Sequence, residues 1–196
     1  MSTVSHELRT PLTSIKAYTA TLRRRDVDFD ESTRQGFLQV TPLQLANAYA
    51  AIANGGHVLQ PYIVSTLIDA NGQREDVGNR VVRSELPLSQ GTLQALQAAM
   101  HDQTSDPNGN GSYRVFGDMA LPIAGKTGTA QRNDSATAKP HSWFASFGPY
   151  GEPPELTTAV IYESAGEGVS FAAPATRRIY DAWLQSPLRA AAAPAG

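Results

Sequence analysis

The sequence predicts an α+β domain, an antiparallel sheet covered by helices, with an amphipathic helix at its N-terminus. Two observations carry this. Three strand-like runs follow one another at 123–131, 142–148 and 156–163, separated by turn-rich sequence, and consecutive strands joined by short turns pair antiparallel. Helical periodicity marks the segments before and after them. Apolar residues at 41% and charged residues at 17% belong to a globular chain with a core.

Taken in order, Val4, Leu8, Leu12, Ile15, Thr19 and Leu22 recur every three to four residues, an amphipathic helix kinked at Pro11. His6 lies roughly 200° around that helix from both Val4 and Leu8, so it faces solvent with Thr10 and Thr13. RRRDVDFDES, residues 23–32, reads as a turn. A second helix starts with Thr41 as N-cap, Pro42 at the first helical position and Gln44 completing a T-x-x-Q capping box. Asn54-Gly55-Gly56 ends it.

PYIVSTLID, residues 61–69, is expected as a strand closed by an Asn71-Gly72 turn. TLQALQAAM is a third helix with Leu93, Leu96 and Met100 on one face, and 104–118 a polar, glycine-rich loop. After the three strands, 172–185 is a last helix, and RAAAAPAG a frayed low-complexity tail. Trp143 and Phe144 are expected in the core.

Composition excludes several classes. A net charge of −2 leaves no basic footprint for nucleic acid. The absence of cysteine excludes disulfides, thiolate metal sites and a cysteine nucleophile. No run of about 18 apolar residues is present to span a bilayer, and MSTVSHELRTP has no apolar signal core. His57, His101 and His141 share no metal-ligand spacing, and His141 is expected to be structural. DPNGNG, residues 106–111, opens like a calcium loop, but the twelfth position, which needs a bidentate Glu, is Gly117, and Asp118 comes one residue late. No metal and no cofactor is expected.

The chemically informative run is AGKTGTAQ, residues 124–131. On a strand, a lysine and a threonine hydroxyl together suit a carboxylate, and a glycine beside them admits a substrate backbone. A following backbone N–H can contribute to an oxyanion hole. Set among GFLQVTPLQLANAYAAIANGGHVLQPYIV, HSWFASFGPYGEPPELTTAVIYE and SFAAPATRRIYDAWL, this run resembles the C-terminal half of the transpeptidase domain of class B penicillin-binding proteins over residues 35–185.

That resemblance implies serine acyl transfer on peptidoglycan stem peptides and acylation by β-lactams. Lys126 and Thr127 would bind the substrate or β-lactam carboxylate, Gly128 would permit close approach, and the Thr129 backbone would complete the oxyanion hole. The family also needs a nucleophile in S-x-x-K, where one helical turn brings amine to hydroxyl, and an S-x-N loop. No serine of this chain has Lys at +3 or Asn at +2. The nearest relative, Thr13-Ser14-Ile15-Lys16, lies within the first helix and too close in sequence to Lys126 for the family layout. The expectation is therefore a truncated transpeptidase domain without independent catalysis, or a binding domain that keeps carboxylate recognition alone.

Residues 3–22, TVSHELRTPLTSIKAYTATL, resemble the phospho-acceptor helix of sensor histidine kinases. By that resemblance His6 would be the phosphorylated residue, Glu7 its base or orienting partner and Thr10 a phosphatase-step residue. The helix would also offer a surface for self-association through 3–22. The chain holds no asparagine box or D-x-G-x-G loop of an ATP-binding domain, so phosphate would have to arrive in trans. Together the two resemblances divide the chain into 1–34, 35–185 and a tail at 186–196, a chimera of unlike origins. They also conflict over compartment: the transpeptidase family is extracytoplasmic and membrane-anchored, the acceptor helix cytoplasmic, and the chain's own location stays open.

Overall fold

The computed structural model describes residues 40–109, 111–131, 138–187 and 189. The N-terminal amphipathic helix, with His6, Glu7, Thr10 and Pro11, lies outside the described residues. Two compact units divide at Gln44 and Leu45.

Helix α1, Pro42–Ala53, begins and ends as its sequence demands. Gln44 N–H donates to Thr41 Oγ1 at 3.2 Å while Thr41 N–H donates to Gln44 Oε1 at 2.9 Å, so two otherwise unpaired first-turn donors are satisfied reciprocally. At the other end Gly56 N–H donates to Ala51 O at 2.7 Å, with Gly55 at φ 87° and Gly56 at φ 106°. This is the six-to-one bond of a Schellman ending, which needs a left-handed residue just past the helix.

Residues 57–88 form two small antiparallel ribbons. Strand β1 (His57–Leu59) pairs with β4 (Val82–Glu85), and β2 (Thr66–Ile68) with β3 (Arg74–Asp76). The Asn71-Gly72 turn is present: Asp69 Oδ1 accepts from Asn71 N–H and Gln73 N–H, both at 2.8 Å, and Gly72 sits at φ 80°. The strand expected over 61–69 shrinks to 66–68. Residues 61–65 are exposed, so among the described residues their apolar run has no partner layer to hold it flat.

Helix α2, Gln90–Ser105, is capped by Ser89, whose hydroxyl accepts from Thr92 N–H at 3.1 Å. Leu93 and Met100 are buried, but Leu96 is exposed: only part of the expected apolar face meets a partner. The polar loop expected over 104–118 is shorter than that, because α2 runs to Ser105 and a single turn of helix, α3 (Tyr113–Phe116), forms within it. Phe116 turns that loop inward and is buried.

The centre of the fold is a three-stranded antiparallel sheet in the order β5-β6-β7, from Ala124–Ala130, His141–Gly148 and Leu156–Tyr162. Both its faces are covered. On one, Phe144 packs with Phe116, Leu121 and Ile123 against Ala172, Ala173 and Tyr180 of the last helix, α4 (Ala172–Leu184). On the other, Ala124 and Phe147 meet Met100 of α2 and Tyr49, Ile52 and Ala53 of α1. This is why β6 is buried at almost every position and reads as a continuous apolar and small-residue run, SWFASFG. The α+β class, with helices covering an antiparallel sheet, is the observed architecture.

Candidate active site on the edge strand

Strand β5 is the edge of the central sheet; among the described residues its strand partner is β6 alone. Its start is fixed from α2. The Ile123 carbonyl accepts from the Thr104 hydroxyl and meets His101 Nδ1 at 3.0 Å, and the His101 ring stacks on Tyr150 with centroids 4.3 Å apart. Two side chains one helical turn apart therefore hold the strand where it enters the sheet. From there the register runs Lys126↔Ala145, Thr127↔Phe144, Gly128↔Trp143 and Thr129↔Ser142.

Side chains alternate along a strand, so Lys126 and Gly128 share the α2 face, while Thr127 and Thr129 share the α4 face. Lys126 is exposed, yet its Nζ donates to Thr127 O at 2.9 Å and lies 3.3 Å from Thr127 Oγ1. The ammonium and the hydroxyl, which leave the strand on opposite faces, thus meet around its open edge. The structure brings together the four residues singled out in sequence, Lys126 to Thr129, as a cationic and hydroxyl-bearing edge.

Glycines make this edge thin. A Cβ on Gly128 would lie 3.1 Å from Trp143 Cβ, and one on Gly125 would fall 2.7–2.8 Å from Phe144 and Ser146 atoms. Phe144 is fully buried as expected for core, whereas Trp143, on the Gly128 side, is only half-buried. Past β5 the described backbone stops at Gln131 and resumes at Ala138.

Sequence reading missed the loop between β7 and α4. Residues 164–171 fold back over the β5–β6 pair, with Ser164 at φ 54° and Gly166 at φ 120°. Ser142, buried at 0% exposure, holds this loop with one hydroxyl: Oγ donates to Glu167 O at 2.9 Å and accepts from Ala172 N–H at 3.1 Å. Ser164 N–H donates to His141 Nδ1 at 3.1 Å, which gives His141 the structural role expected of it. The only sequence signals were a buried-type serine at a strand start and the G-x-G spacing at 166–168.

Arg177 of α4 donates through Nη1 to Val115 O at 2.6 Å and to Asp118 Oδ1 at 2.5 Å, tying α3 to α4. The hydrogen bond from Arg177 holds the Asp118 carboxyl below the usual carboxylate range. Asp118, the acid that came one position late for a calcium loop, is thereby engaged by a guanidinium. Among the described residues no group of three or more His, Cys, Asp or Glu is placed to hold a metal. No helix among them is long and apolar enough to cross a membrane.

A penicillin-binding-type sheet with a Lys-Thr-Gly-Thr edge strand defines the class, and the family comparison agrees. The penicillin-binding protein transpeptidase domain model matches residues 4–181, and this chain belongs to that family. The peptidoglycan D,D-transpeptidase MrdA of Haemophilus influenzae is 30% identical over 167 residues, covering 79% of this chain and 25% of the relative. PbpA of Mycobacterium tuberculosis, also a peptidoglycan D,D-transpeptidase, is 31% identical over 165 residues, covering 79% and 31%.

Among solved structures, PBP2 of Pseudomonas aeruginosa in complex with WCK 5153 superposes with a TM-score of 0.63 at 29% identity, over 86% of this chain and 36% of that one. Penicillin-binding protein A from M. tuberculosis, as a ceftriaxone acyl-enzyme complex, gives 0.60 at 27% identity over 73% and 32%. The chain therefore spans about a quarter to a third of the length of these relatives. Because the family match begins at residue 4, it runs through the segment that resembles a histidine-kinase helix. The phospho-acceptor resemblance of His6, Glu7 and Thr10, and self-association through 3–22, gain no support from it.

Proposed function

We propose that this chain is the substrate-binding portion of a peptidoglycan D,D-transpeptidase, and that β5 holds the carboxylate of a stem peptide or a β-lactam. One observation carries the reading: Lys126 Nζ stands 3.3 Å from Thr127 Oγ1 at the open edge of the sheet. A carboxylate there would accept from an ammonium and a hydroxyl at once, the charge-assisted pairing that makes the stronger class of hydrogen bond. The Thr127 carbonyl, bonded to Lys126 Nζ, faces the same edge. Strand alternation then directs the Thr129 N–H outward too, as an oxyanion-hole donor must be. Gly128 between them leaves room for a peptide to lie alongside as an added strand.

Binding and acylation separate in this reading. These 196 residues hold no S-x-x-K and no S-x-N, so an oxyanion donor is present without a nucleophile to use it. The proposed division keeps 35–185 as the transpeptidase portion and 186–196 as a tail. No observation favours the phosphorelay reading of 1–34.

Two measurements test it. Titration calorimetry with a D-Ala-D-Ala peptide should show heat that Lys126→Ala removes; equal heats in the two proteins would end the carboxylate assignment. Incubation with a fluorescent penicillin should leave no label after heating in denaturant. A heat-stable band would mean that a nucleophile exists outside the S-x-x-K pattern.

A further inference from the structure

The loop 164–171 passes so close to β5 at Gly168 that a side chain there would have no room. A Cβ built on Gly168 would lie 2.4 Å from Trp143 O, 2.8 Å from Gly128 O and 3.1 Å from Gly128 N. All three are backbone atoms of a cross-strand pair, Gly128↔Trp143. No rotamer change can relieve such a clash; either the loop or the strand must move. Gly168 is therefore glycine for want of space, not for a left-handed backbone.

The loop is poorly placed to be the part that moves. Both of its ends are fastened to the start of β6. Gly166 N–H donates to Pro140 O at 3.0 Å, Ser164 N–H to His141 Nδ1 at 3.1 Å, and Ser142 Oγ bridges Glu167 O and Ala172 N–H. Ala173 N–H donates to Gly168 O at 2.9 Å, joining the contact point itself to the first turn of α4. Ala172 and Ala173 are fully buried against Phe144, so that turn is part of the core.

On its other face a Cβ built on Gly128 would lie 3.1 Å from Trp143 Cβ. The Gly128 peptide thus lies between the loop on one side and a side-chain root on the other. Ser142, which fastens the loop, is also the cross-strand partner of Thr129.

We propose that Gly168 and Ser142 are positioning residues: a backstop that sets where the Gly128–Thr129 backbone lies, and through it the N–H offered to the developing oxyanion. Neither residue touches the substrate. The inference rests on the reading of Thr129 as the oxyanion-hole donor for its consequence in binding, but the mechanical claim stands on the contacts alone. Preorganised donors depend on being held within about 0.5 Å of the productive position, so an insertion of one methyl group at Gly168 is large on the relevant scale.

The test uses the full chain, labelled with nitrogen-15, in four forms: unsubstituted, Gly168→Ala, Ser142→Ala and Gly148→Ala. Gly148 serves as the control because its Cβ would crowd Ile123 and Tyr180 in the core, at the opposite end of the same β6 strand. The expected result is that amide shifts of Gly128 and Thr129 are among the largest changes in Gly168→Ala and Ser142→Ala, and near zero in Gly148→Ala. Shifts at Gly128 and Thr129 that are no larger than those elsewhere in the sheet, or equal in the control, would overturn the backstop.

Ser142→Ala inserts nothing, so it keeps the test open should Gly168→Ala fail to fold. A second arm measures peptide affinity, expected to weaken about tenfold in Gly168→Ala and to stay within about twofold in Gly148→Ala. If the unsubstituted chain gives no Lys126-dependent binding, the carboxylate reading falls while the shift data still decide the backstop.

Discussion

The central sheet and the ribbons at 57–88 are both antiparallel, yet they differ in kind. Every residue of β6 from Phe144 to Gly148 is buried, whereas β3 and β4 are exposed along their whole length, and Ile63, Ile68 and Leu67 stand open to solvent. Two layers of helix clamp the first region; among the described residues nothing comparable covers the second. The edge proposed to bind belongs to the clamped region. The proposed carboxylate cradle and backbone donor would need a fixed scaffold, and β5 has one because β6, its only strand partner among the described residues, is covered on both faces.

The sharpest way to test that contrast is paired truncation. Phe144→Ala, which removes a fully buried ring stacked on Phe116 at 5.0 Å, should cost about 3–5 kcal/mol. Ile68→Ala in the exposed ribbon should stay within about 0.5 kcal/mol. Urea denaturation of both variants decides it, and similar losses would mean that the ribbons share the core's cooperativity.

A smaller effect should appear at alkaline pH. Burial pushes the Tyr180 phenol up to about 12, against a lowering from its hydrogen bonds to Ser146 and Thr158. Because the folded value exceeds that of the unfolded chain, this stabilisation is complete below about pH 10 and is lost as pH rises toward 12. Tyr180→Phe should flatten that alkaline limb in thermal melts, and an unchanged limb would count against it.

The smallest change is expected on the acid side. Arg189 holds the Glu155 carboxyl below its usual range, through bonds of 2.6 and 2.9 Å, with Trp183 Nε1 donating at 3.1 Å. Asp118 is lowered in the same sense by Arg177. Both contributions exist above the ordinary carboxylate pKa and fade as pH falls through the depressed values. Both carboxylates are solvent-accessible, so screening keeps the effect small. Glu155→Gln should therefore shift the acid midpoint only slightly, and 1 M salt should shrink the difference further.

How much of this was legible in the sequence follows the range of the interactions. The capping box at Thr41, the glycine ending at 54–56, the Asn71-Gly72 turn and the strands of the central sheet were all readable, because each is specified within a few neighbouring residues. Lys126 to Thr129 were readable as a motif for the same reason. The ribbons β1–β4 and β3 in particular were not: Arg74–Asp76 is a strand only because β2 lies beside it. The shared start of α2's apolar stripe gave no warning that Leu96 would stand exposed while Leu93 and Met100 are buried. The backstop was least visible of all, since Gly168 and Gly128 are forty positions apart in sequence and meet only through the fold.

The hydroxyls inside the sheet–helix interface have one more consequence. Ser146 Oγ lies 2.7 Å from Thr158 Oγ1 and 3.2 Å from the Tyr180 hydroxyl, all of them buried, in a layer lined mainly by apolar side chains. Apolar packing alone would let α4 slide along the sheet at modest cost, because one methyl replaces another. A displaced α4 would instead carry the Tyr180 hydroxyl away from the Ser146–Thr158 pair on the sheet and leave it buried without that partner, at about 1–3 kcal/mol. The cluster thus acts as a locating pin: it contributes little to how tightly the layers adhere, and much to the single alignment in which they do so.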